Sequence, residues 1–230
     1  MNFRNNIILL AQILLFSPAC HANQNNSHLP DGFVYIEQIT PGIKTDLRYY
    51  AGHNFVGKRI TGYLEPKCIL TKEAAIALDS AQKNLEQFGL GLKIFDAYRP
   101  QRAVNNFIEW ASDLEDIKMK SEFYPDVKKE NLFIEGYIAD KSSHSRGSTV
   151  DITIIDLKSN TELDMGSGYD FFGPESWPDF ADISELQRSN RMLLQLIMMK
   201  HGFNPYPKEW WHFTLQNEPF PDTYFDFPIQ

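Results

Sequence analysis

Two short segments, about sixty residues apart, limit what this chain can fold into. One is Ser142-Ser143-His144-Ser145-Arg146-Gly147-Ser148-Thr149-Val150-Asp151, and the other is Glu209-Trp210-Trp211-His212. Asp151 opens an otherwise apolar, β-branched run, and a carboxylate buried there is costly unless it is paired or metal-bound. The two segments together supply two imidazoles, that carboxylate, and a second carboxylate three residues from an imidazole. A catalytic zinc centre needs this inventory: three protein ligands, an open position for water and a base beside it.

The 230 residues suffice for one domain with its own core, and 43% hydrophobic content supports a packed fold. A net charge of −8 argues against nucleic acid or an anionic membrane surface as the main partner. Residues 1–22 read as a secretory signal. Arg4 supplies the positive start, and Ile7 to Phe16 is an apolar run too short to span a bilayer. Cys20-His21-Ala22 offers small residues for cleavage before Asn23. Lipid attachment at Cys20 fits less well, because Leu15 lies five residues before it rather than three. The expected organisation is a signal over 1–22, a flexible leader over 23–32 and one catalytic domain over 33–230. No transmembrane segment is expected once the signal is removed, and the expected address is exported, in the periplasm. Cys68 is then alone, so no internal disulfide and no thiolate-rich zinc site is expected.

Pattern supplies the elements. Val34 to Ile39 reads as a first strand. Thr71 reads as an N-cap, after which Ala74, Leu78, Ala81 and Leu85 recur at helical spacing as far as Gly89. Leu92–Phe95 reads as a strand, Gln101 to Leu114 as a second helix, and Asp151–Ile155 as a strand. Residues 121–138 read as irregular and 164–180 as a long Gly/Pro-rich loop, a kind often functional. Ile183 to His201 reads as a third helix stopped by Gly202, and Trp210–Leu215 as a central strand. Interspersed helices and strands imply an α+β domain with a central antiparallel sheet flanked by helices and the zinc site at the sheet.

Of six histidines, His21 leaves with the signal, His28 sits in the leader, His53 in a turn and His201 at a helix end where a cation suits the dipole. His144 and His212 remain as imidazole ligands. Gly147 lets the chain reverse, so His144 and Asp151 can face one ion. Spacing alone equally allows Asp151 to cap a turn and His144 to be a surface residue. A regular strand would put Glu209 and His212 on opposite faces; a bulge or turn ending around Trp210 would bring them together, and the alternative is a rim glutamate and a core histidine among tryptophans. Arg99 follows a strand end. It either pairs with Asp96 or stabilises an oxyanion near the metal.

These stretches, with Asp96-Ala97-Tyr98-Arg99-Pro100, Met165-Gly166-Ser167-Gly168-Tyr169-Asp170 and Tyr224-Phe225-Asp226-Phe227-Pro228, resemble the D-alanyl-D-alanine dipeptidases, within the LAS group of zinc metallopeptidases. The resemblance covers roughly residues 33 to 230. It implies one Zn2+ per chain on His144, Asp151 and His212, with Glu209 as catalytic base and Arg99 stabilising the transition state. It implies that Asp170, Ser142 and Tyr49 grip a D-Ala-D-Ala dipeptide. The expected reaction is hydrolysis to two D-alanines. The alternatives are a D,D-carboxypeptidase or endopeptidase acting on peptidoglycan peptides, and a non-catalytic zinc- or cell-wall-binding module. Two departures stand out. The family's resistance enzymes work in the cytoplasm whereas this chain carries an export signal, and Thr149 stands where a small apolar residue is usual.

Overall fold

The computed structural model describes residues 29–230, so the segment expected to be a signal, with Cys20 and His21, and His28 lie outside the described residues. In chain order the elements are β1 (Phe33–Tyr35), α1 (Ile36–Ile39), β2 (Lys44–Thr45), α2 (Arg48–Ala51), β3 (Ile69–Thr71), α3 (Lys72–Glu86), β4 (Leu90–Asp96), α4 (Gln101–Ser112) and α5 (Lys120–Phe123). They continue as β5 (Thr149–Asp156), β6 (Thr161–Glu162), α6 (Glu185–Lys200), β7 (Phe203–Tyr206) and β8 (Glu209–Leu215).

The main sheet runs β2-β4-β5-β8-β7, with β6 pairing β5 at one end. β5 is the centre of this sheet and, apart from Asp151 and Asp156, is apolar or β-branched, with seven of its eight residues buried. β8, expected as the central strand, is interior but second from the edge. The antiparallel expectation holds for every pair of this sheet except β2 with β4, which run parallel. The expected first strand stops at Tyr35 and becomes the short α1; six residues of mixed apolar character cannot distinguish the two forms by period. Leu29 packs against the core and Lys72 N donates to the Gly32 carbonyl, so residues 29–32 are tied to the domain.

The helices form where caps and period agree. The Thr71 side chain accepts from Ala74 N to start α3, and Ser184 with Gln187 builds a capping box at α6. α3 lays Ala74, Leu78, Ala81 and Leu85 into the core against Leu92 and Ile94 of β4. The segment expected to be irregular, 121–138, carries the end of α5 and one 3-10 turn at Lys129–Asn131. Two ammonium groups tie it down. Lys120 Nζ donates to the Tyr124 and Val127 carbonyls, and the buried Lys129 Nζ to those of Asp113 and Asp116. Cys68 is buried and free. No helix among the described residues is long and apolar enough to cross a membrane.

Candidate active site

Sheet register assembles the site. Asp151 sits opposite His212 on one side and opposite Asp96 on the other, so three strands present three polar side chains on one rung. Both placements need irregularities. A bulge in β4 between Ile94 and Asp96 puts Asp96 rather than Phe95 beside Asp151. The β7–β8 pairing shifts after Pro205, so that Tyr206 faces Glu209 and the segment up to His212 bows out. Glu209 Oε2 therefore reaches 3.3 Å from His212 Nδ1, although a regular strand would separate residues three apart.

His144 arrives on a 3-10 turn, Ser143–Arg146, N-capped by the Ser142 side chain and closed by Gly147 at φ 84°. A Cβ at Gly147 would run into the ring of Phe33, and the left-handed backbone there suits glycine alone. Gly147→Ala should lower stability by roughly 2–4 kcal/mol, from strain and overpacking together, read as a drop in the urea midpoint.

His144 Nδ1 donates to the Ala97 carbonyl at 2.7 Å, which leaves Nε2 as a bare lone pair. That lone pair lies 3.2 Å from Asp151 Oδ1 and 3.3 Å from His212 Nδ1, and Asp151 Oδ1 lies 3.1 Å from His212 Nδ1. Asp151 Oδ1 is buried without a hydrogen-bond partner. Two imidazole nitrogens and a carboxylate oxygen thus face each other on the wall of one cleft, an arrangement that calls for a cation, whether a bound metal or, without one, the proton on His212. Their spacing also matches one: ligands about 2.0–2.1 Å from a tetrahedral ion stand about 3.3–3.4 Å apart. His144, Asp151 and His212 are the metal-binding group that the geometry offers among the described residues. Two imidazoles and one carboxylate suit zinc.

Tyr169 OH donates to Asp151 Oδ2 at 3.2 Å, and Arg99 Nη2 lies 3.5 Å from the same oxygen. Burial would raise the Asp151 carboxyl, but the His144 and His212 imidazoles hold it well below the usual carboxylate range. Burial likewise opposes charge on His212, yet its contacts with Asp151 and Glu209 push it up to about 9 when no metal is bound.

Arg99 pairs with Asp96 and also stands at the cleft. Its Nε donates to Asp96 Oδ2 at 2.9 Å, and its guanidinium lies over Tyr49 and Phe107 at the cleft. Asp96 is one residue that sequence reasoning missed. It also accepts from Tyr63 OH at 2.7 Å and stands 3.6 Å from His144 Nδ1. The Asp96–Arg99 spacing was visible, but Asp96's reach to His144 depends on the bulge. Asp170 has φ 61° and accepts from Tyr49 OH at 3.1 Å, while its Oδ2 is buried and unpartnered. Burial, then the Asp151 charge, push its carboxyl well above the usual range, so an arriving cation would find a site that gains by becoming ionised. His53 instead pairs with Glu122 on the surface, and His201 lies beside Asn84. Thr149 is satisfied by Thr214 at 2.8 Å.

All eight predicted residues, Tyr49, Arg99, Ser142, His144, Asp151, Asp170, Glu209 and His212, line one cleft of about 390 Å³. A volume of that size suits a small ligand. The family model for the D-Ala-D-Ala dipeptidases, peptidase family M15, matches residues 30–230. The chain belongs to this family. It is 43% identical over 197 residues to the D-alanyl-D-alanine dipeptidase of Streptomyces coelicolor, covering 86% of this chain and 98% of that one. The D-alanyl-D-alanine dipeptidase of Enterococcus faecalis is 39% identical over 201 residues, 87% of this chain and 100% of the relative. Among solved structures, a vancomycin-resistance D,D-pentapeptidase, VanY, in complex with Zn(II), aligns at a TM-score of 0.42 and 14% identity over 67% of this chain and 77% of that one. The cleft offers a His-Asp-His group that could hold a metal, a carboxylate beside it, a guanidinium and a second, buried carboxylate.

Proposed function

We propose that this protein is a zinc dipeptidase that cleaves D-Ala-D-Ala to two D-alanines, with one Zn2+ on His144, Asp151 and His212, and that it works outside the cytoplasm. The observation that carries the proposal is the meeting of Glu209, Arg99 and Asp170 around the triad in one small cleft. The full-length match to proteins named D-alanyl-D-alanine dipeptidase supports the substrate. The Arg4 and Ile7–Phe16 signal pattern supports the address.

The residues divide the work. A zinc ion held by the triad supplies Lewis acidity for the scissile carbonyl and the attacking water. Glu209, beside His212, takes a proton from that water and passes it to the departing amide nitrogen as the C–N bond breaks. The Arg99 guanidinium, anchored by Asp96, donates to the carbonyl oxygen as it becomes anionic. Asp170 and Tyr49 receive the substrate ammonium, and Ser142 stands at the cleft wall near its other end.

Zinc-loaded protein should release two D-alanines per D-Ala-D-Ala, leave a pentapeptide ending in D-Ala-D-Ala uncut, and occur in the periplasmic fraction. Release of one terminal D-alanine from the pentapeptide would establish a D,D-carboxypeptidase instead; tight murein binding with no hydrolysis would establish a binding module. Asp96→Asn should cost roughly 10–100-fold in kcat/KM, with the protein still folded by circular dichroism, because the group that orients Arg99 loses its charge. An unchanged rate would remove Asp96 from the site.

A further inference from the structure

The cleft carries one charge that these roles leave unused. Apart from imidazoles, its cations are Arg99 and Lys141. Arg99 is committed to Asp96, Asp151 and the Tyr49 and Phe107 rings. Arg146, close in sequence, is neutralised by a two-point pairing with Glu218 at 2.9 and 2.7 Å. Lys141 is different. It is exposed, its Nζ lies 4.9 Å from the centroid of the Tyr224 ring, and it forms no ion pair among the described residues.

The backbone that carries Lys141 is fixed on both sides. The carbonyl of Asp140 accepts from Gln101 Nε2 on α4 at 2.9 Å, and Ser142 caps the turn that presents His144. A free cation is thus held at the rim of the cleft, three residues before a proposed metal ligand. Asp170 is buried within the same cleft, with an unpartnered oxygen. The cleft is therefore polarised, with a carboxyl group inside that an arriving cation would ionise and a cationic position at the rim. A short peptide with both ends free is polarised in the matching sense.

We infer that Lys141 binds the free C-terminal carboxylate of the substrate and so selects small peptides whose C-terminus is unblocked. The inference rests on the dipeptide reading given above. The ammonium is a compact charge on a flexible stem, able to follow the carboxylate of the leaving residue. A charge-assisted hydrogen bond of this kind corresponds to roughly a tenfold change in affinity.

The test compares D-Ala-D-Ala with its C-terminal amide on the zinc-loaded full chain. Lys141→Met should raise KM for the dipeptide roughly tenfold, with the larger part of the effect in KM rather than kcat, and leave KM for the amide within about twofold. Lys141→Arg should restore most of the dipeptide affinity. Calorimetric titration of the dipeptide into Glu209→Gln protein, with and without Lys141→Met, should show the same loss without turnover. Equal effects on acid and amide, or none on either, would overturn the role of Lys141 while the dipeptidase reading stands. A native protein that cleaves neither would overturn that reading and this inference together.

Discussion

Replacing Asp151 by asparagine should remove bound metal and activity together. The change keeps the shape of the side chain but deletes the only anionic ligand of the triad, whose Oδ1 stands 3.2 Å from His144 Nε2 and 3.1 Å from His212 Nδ1. Two neutral imidazoles alone hold a divalent ion poorly, so zinc affinity should fall by at least roughly a thousandfold, read by competition with a chelating dye. The replacement also alters the metal-free protein. His212 there is held up to about 9 by Asp151 and Glu209. Its raised pKa stabilises the metal-free fold fully below about 6.5, and that stabilisation fades as pH rises through about 9. At pH 7.5 a metal must therefore displace a proton, and zinc uptake by native protein should release it into the buffer. Calorimetry in two buffers of different ionisation enthalpy measures this release. Native-like zinc affinity in Asp151→Asn would remove Asp151 from the ligand set.

Glu209→Gln should do the opposite: keep the metal and lose turnover. Glu209 touches the site through Oε2, 3.3 Å from the nitrogen of His212 that faces the other ligands, but lies outside the three-atom cluster. An amide of equal size cannot accept the proton that the attacking water must lose. General acid–base catalysis is worth roughly 10²–10⁴ in rate, and kcat should fall by that order with zinc content unchanged. Retained turnover would assign the proton transfer to another group, and Asp170 is the carboxylate to try next.

Much of the fold was legible wherever local signals agree. Thr71 and Ser184 mark helix starts by cap chemistry, and the run Val150 to Ile155 marks a strand buried on both faces. The errors arise where the outcome depends on distant partners. Nothing near Lys44–Thr45 reveals a parallel pairing with β4, and nothing in Val34–Ile39 reveals that Cys68 will accept from Ile36 N where the strand ends. The site follows the same division. His144, Asp151, Glu209 and His212 emerged from residue type and spacing, while Asp170, Ser142 and Tyr49 came only through the resemblance. The link from Asp96 to His144 and the donation from Tyr169 to Asp151 needed the sheet register, because Tyr169 closes a loop of eighteen residues before it meets that carboxylate.

The shared rung Asp96–Asp151–His212 separates what can change in this chain from what cannot. The connections between those strands contribute reach but not alignment, since pairing alone sets which side chains stand abreast. Insertions or deletions in those connections leave the three groups in step. One residue gained or lost inside β5 between Thr149 and Asp151 turns the carboxylate to the opposite face and ends metal binding at a stroke. Descendants of this sequence are thus free to vary in length around the sheet, outside the turn that carries His144 and the segments that place Arg99 and Asp170, while every strand that crosses the rung keeps its count.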